Sequence, residues 1–69
     1  MYMRQKELIC DRVYKAFRFS EFPLTVYGVC EDAGCYKFLA RFAILDLIDE
    51  GFVAPEGMAG DEMTFKVIL

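Results

Sequence analysis

Histidine is absent from this 69-residue chain, and that absence removes imidazole acid–base catalysis and imidazole metal ligands together. The three cysteines, Cys10, Cys30 and Cys35, contain no CxxC pair. Zinc would therefore need a further ligand from a carboxylate or from another chain. No metal is expected, and the thiols read as small buried hydrophobes of a reducing compartment. A glycine-rich phosphate loop is missing too, since Gly57 and Gly60 match no such motif, and no serine has a base beside it in the pattern. An enzyme is the weakest reading, and no cofactor is expected.

Long apolar runs are also lacking. "FLARFAILDLI" is broken by Arg41 and Asp46, and no stretch approaches the roughly 18 to 20 apolar residues of a membrane span. The opening "MYMRQKELICDR" carries charge too early for a signal peptide. A cytoplasmic protein with no membrane partner is expected. There is no internal repeat and no linker, and the length suits one domain over residues 1–69.

What the chain does have is apolar surface. Residues of this kind make up 57% of it, with seven Phe and four Tyr, more than so small an interior can hide. Some large side chains must then face outward, and a contiguous apolar patch marks a partner site or a dimer interface. The net charge of −3 argues against general attraction to polyphosphate. Its placement is uneven. Arg4, Lys6, Arg12, Lys15 and Arg18 crowd the first 18 residues, whereas Asp46, Asp49, Glu50, Glu56, Asp61 and Glu62 crowd the last 28 around a lone Lys66.

Periodicity predicts the elements. Ile9, Val13, Ala16 and Phe17 fall at helical spacing within residues 4–19, with Arg12, Lys15 and Arg18 on the opposite side. Pro23 ends that helix, and Phe22 to Leu24 reads as a short extended piece. Thr25 is the expected N-cap of a second helix from Val26 to Ala33 that buries Val26, Val29, Cys30 and Ala33, with Gly34 as its left-handed terminator. Gly28 inside it suggests close approach to another backbone. A third helix from Tyr36 to Glu50 stops at Gly51. Ala40, Ala43, Ile44, Leu47 and Ile48 form one apolar stripe on it, and Phe38, Arg41, Phe42, Leu45 and Asp49 lie on the far side. Asp46, Asp49 and Glu50 share one turn without partners suited to acid–base work, the pattern of a hydrated helix end. After Gly51, "FVAPEG" starts one strand and "MTFKVIL" alternates as a second, with Met63, Phe65, Val67 and Leu69 sharing a face. "PEGMAGDE" between them reads as a turn-rich, flexible tip.

Helix, short strand, helix, glycine turn, helix and hairpin together resemble the winged helix-turn-helix family, an α+β fold of three helices plus a C-terminal β-hairpin. "LTVYGVCEDAGC" resembles that family's second helix and turn, with Gly34 at the turn glycine and Cys30 at its small residue. "LARFAILDLIDEGFV" resembles its third helix entering the first wing strand. The resemblance implies a DNA-binding regulator whose third helix enters the major groove, probing bases or phosphates with Tyr36, Lys37 and Arg41. Arg12, Lys15 and Arg18 would add phosphate contacts, and a homodimer would read two half-sites. Two features depart from the family: the wing holds Glu56, Asp61 and Glu62 with no cation at its tip, and Phe38 and Phe42 sit among the reading residues. They define the alternative, an acidic winged-helix interaction module, an adaptor or a phage-type inhibitor of a host nucleic-acid machine. Phe38, Phe42 and Leu45 would then anchor a protein partner, and the wing would meet a basic surface.

Overall fold

Three apolar positions one helical turn apart decide where the first helix lies. In the computed structural model, which describes residues 2–69 and their side chains from Leu8 onward, α1 spans Tyr2–Phe19. Val13 and Phe17 on it are buried, and Ile9, Cys10 and Tyr14 pack partly against the same core. The expected cations Arg4 and Lys6 have side chains outside the described ones. At the end of α1 the Ser20 N–H donates to the Phe17 carbonyl at 3.3 Å. The Ser20 hydroxyl then bonds the backbone of Phe22, closing the turn before Pro23.

α2 spans Val26–Ala33. Thr25 caps it as expected, its Oγ1 accepting from the Gly28 N–H at 3.1 Å. Gly34 ends it in the left-handed region, at φ 68 and ψ 42, with its N–H on the Cys30 carbonyl at 2.9 Å. Of the four residues expected to be buried here only Val29 is; Val26, Cys30 and Ala33 are half-buried, because one face of so short a helix cannot cover four side chains. The expected backbone approach at Gly28 is absent. A Cβ there would meet only the side chains of Leu24 at 3.5 Å and Thr25 at 3.6 Å, which is ordinary contact.

α3 spans Lys37–Asp49, with Tyr36 as an extended N-cap. Ala40, Ala43, Ile44 and Leu47 are buried and Ile48 packs beside them, so the stripe seen in the sequence is the inner face. Gly51 turns the chain at φ 84, and the Phe52 N–H reaches back to the Leu47 carbonyl at 2.9 Å.

The hairpin departs from expectation. β1 covers Val53–Ala59 and β2 covers Glu62–Val67, so the strands run through the segment expected to be a loose tip. They pair antiparallel from Val53 with Val67 out to Ala59 with Glu62, leaving Gly60 and Asp61 as the turn. Gly60 takes φ 63 there. Pro55 is tolerated for a geometric reason. Its partner Phe65 spends its N–H and C=O on Leu24, at 2.8 and 3.0 Å, on the opposite side of the strand. The Pro55–Phe65 pair is therefore a non-hydrogen-bonded one, where a missing donor costs nothing. The register slips between Pro55 and Gly57, which leaves Glu56 as the extra residue of a bulge.

The predicted alternation of the last strand holds only near the helices. Phe65 is buried and Val67 packs against the core, but Met63 is 48% exposed, Leu69 lies beyond the strand, and Thr64 is buried instead. Met63 faces an open groove between the hairpin and α3 rather than the closed core, which leaves it about half exposed. The inner end is closed by Phe17 and Phe65, edge to face at 6.5 Å, and by Tyr14 and Phe52 at 5.7 Å. The Tyr14 hydroxyl donates to the Leu69 carbonyl, tying the last residue back to α1. The result is the α+β layout of a winged helix, with the expected Phe22–Leu24 strand reduced to a single bridge at Leu24.

Two glycines, one inside α2 and one at its C-cap, separate conformation from space. Gly28→Ala should stabilise the fold by about 0.5–1 kcal/mol, since the helix gains propensity without a clash. Gly34→Ala should destabilise it by about 1–2 kcal/mol although nothing lies within 4 Å, because only the left-handed backbone opposes it. Urea unfolding of both variants checks the opposite signs.

Candidate interaction surface

Positions 38, 41, 42 and 45 recur every three or four residues, so Phe38, Arg41, Phe42 and Leu45 share the outer face of α3. The structure leaves them all in solvent, Phe38 at 59%, Phe42 at 65% and Leu45 at 61% exposure. These rings do not fill the monomer core, and α3 has two apolar faces of which only one is used inside the molecule. Tyr36 joins the same surface. Its ring stacks on Phe38 with centroids 6.0 Å apart and planes 11° apart. Residues i and i+2 do not face each other on a helix, but Tyr36 is the extended N-cap, which swings its ring over Phe38.

The residues expected to touch DNA and those expected to grip a protein are thus interleaved on one helix face. Lys37, Arg41 and Leu45 also wall a groove of roughly 500 Å³ against the wing, together with Val26, Met63 and Phe65. Asp61 and Glu62 form its other rim. Folding the hairpin places two carboxylates across from the two cations of α3, which counters the positive potential that a phosphate backbone requires.

Among the described side chains, the α1 cations Arg12, Lys15 and Arg18 do not join Lys37 and Arg41 in this groove. Arg12 and Lys15 line a different cavity with Phe19 and Asp32, and Lys15 Nζ lies 3.1 Å from Asp11 in an exposed i,i+4 pair. Such a pair contributes only about 0.3–0.5 kcal/mol. Arg18 is exposed in the last turn of α1. Arg12 also reaches toward the third helix, sharing a cavity with Tyr36, Leu39, Cys30 and Cys35.

One expectation about chemistry changes. The cysteines are half-buried rather than buried. Burial pushes the Cys35 thiol pKa above its ordinary value; nearby Cys30 adds to the rise, and Arg12 works against it. The Cys10 thiol donates to Asp46 Oδ2 across the α1–α3 seam at 4.0 Å. Among the described residues no cluster of three or more potential metal ligands occurs, and no helix is long and apolar enough to cross a membrane.

The fold recurs in a much larger chain. The crystal structure of human N-acetylserotonin methyltransferase in complex with SAM aligns with a TM-score of 0.73 over 94% of this chain, at 12% sequence identity. That alignment covers 20% of the methyltransferase, so this chain spans about a fifth of its length. The likeness is one of fold alone. No protein-family model matches the chain, and no curated protein matches it.

Met58 and Met63 pair across the hairpin and are both exposed, and Met63 adds to the apolar wall of the groove, a role missed in the sequence. The loop expected over Met58 hid its strand partner, and the alternation pointed Met63 inward. With Phe38 and Phe42 outside the core, Phe38→Ser and Phe42→Ser should each fold normally, with stability within about 0.5 kcal/mol of the parent. Circular dichroism with thermal melting measures this, and unfolding of both variants would return the rings to the core.

Proposed function

We propose that this chain is a non-enzymatic protein-interaction module on a winged-helix frame, gripping its partner through Phe38, Phe42 and Leu45 with Tyr36 at the edge. One observation carries the reading: the outer face of α3 presents these large apolar side chains, more than half exposed, as one continuous stripe. Exposed apolar area of this kind is costly in water, and covering aromatic anchors is what gives binding hot spots their energy. The acidic rim at Asp61 and Glu62 selects a partner that sets basic residues beside its own apolar ridge.

A second reading keeps duplex DNA as the ligand and the chain as a transcriptional regulator, working as a homodimer. It is supported by Tyr36, Lys37 and Arg41, all exposed at the start of α3 where a groove-reading helix makes its contacts. Against it stands the wing, whose described tip residues Glu56, Asp61 and Glu62 would sit against phosphate.

The two readings part in one comparison. The immobilised chain and its Phe38→Ser/Phe42→Ser/Leu45→Ser variant are exposed to nuclease-treated lysate, and binding of mixed duplex is titrated against salt. The interaction reading expects a protein that the parent retains and the variant loses, with duplex binding weak and nearly flat in salt. Loss of all capture after nuclease, with a log–log salt slope of several times about 0.9, would overturn it in favour of DNA.

A further inference from the structure

We propose that Cys30 and Cys35 are a built dithiol, a site of reversible intramolecular disulfide formation that closes a covalent ring over the turn between α2 and α3. The geometry begins at Gly34. Its left-handed backbone lets two successive N–H groups, those of Gly34 and Cys35, converge on the Cys30 carbonyl at 2.9 and 3.3 Å. A helix cap of this type folds the residue after the glycine back onto the last turn, bringing its side chain against the one five residues earlier. Here both of those side chains are thiols, and both line the cavity beside Gly34.

Access and selectivity follow from the surroundings. Both cysteines are half-buried and line one cavity of roughly 540 Å³ with Gly34 and Arg12, so a small reagent can enter. Burial and the neighbouring Cys30 raise the Cys35 thiol pKa, which slows attack at neutral pH, and the Arg12 guanidinium offsets only part of that rise. Cys10 instead faces Asp46 on α3. Oxidation needs an external acceptor, and a low-molecular-weight disulfide such as oxidised glutathione is sufficient. One protein thiolate attacks a glutathione sulfur, expelling one glutathione thiolate and leaving a mixed disulfide. The second protein thiol loses its proton and attacks the protein-bound sulfur of that bond, forming Cys30–Cys35 and releasing the second glutathione. Two protein thiols are oxidised as one glutathione disulfide is reduced to two thiols.

The inference does not depend on what α3 binds. The full chain is equilibrated in glutathione buffers of graded ratio, quenched by alkylation, digested and mapped by mass spectrometry, alongside Cys10→Ser, Cys30→Ser and Cys35→Ser. The expected product is a Cys30–Cys35 disulfide that persists in Cys10→Ser, while Cys30→Ser and Cys35→Ser stop at the mixed disulfide. Preorganisation by the Gly34 cap predicts half-oxidation in the folded chain at a ratio about tenfold more reducing than in urea, equivalent to roughly 30 mV. Equal ratios in folded and unfolded chain, or a disulfide that includes Cys10, would overturn the proposal.

Discussion

The arrangement depends on a pair of hydrogen bonds between two residues far apart in sequence. Leu24 and Phe65 exchange both backbone bonds, at 2.8 and 3.0 Å, and so attach the hairpin to the linker that feeds α2. Phe65 then drops its ring edge-on to Phe17 of α1 and into the cluster with Val29, Ile44 and Val53. One residue therefore joins all three helices to the sheet. The same pairing directs the polar groups of Phe65 away from β1, which is why proline can sit opposite it. This bridge acts together with buried Val53 and the Phe52 N–H on the Leu47 carbonyl to hold the wing beside α3, with the groove between them.

That placement gives the outer face of α3 its character. An isolated helix with Lys37 and Arg41 near its start would read as basic. With the hairpin docked, Asp61 and Glu62 stand across from those cations, and the apolar stripe becomes the dominant feature of the face. A frame often associated with nucleic acid can thus carry a surface of another kind, since fold and site are separately specified.

Much of this was legible in the residues. The α3 stripe, the Thr25 cap, the Gly34 terminator and the two-faced nature of α3 follow from spacing and local backbone chemistry, and each appears where its residues place it. The readings that changed share a cause. Whether Met63 is inside or outside, and whether the segment around Pro55 is loop or strand, both turn on which element lies alongside. Alternation says that two faces differ, but not how far along the strand a helix extends to cover one of them.

Local rules are short-ranged: a side-chain period, a cap and a left-handed glycine are properties of a few neighbouring residues, and the sequence by itself determined them. It likewise determined that apolar area would exceed what a small interior can bury. Only the tertiary structure decided which apolar residues are left over, that Tyr36 stacks on Phe38, that acids face the cations of α3, and that Cys35 returns to Cys30. Those outcomes depend on distances between segments, which the chain acquires only when its helices and hairpin close around one shared core.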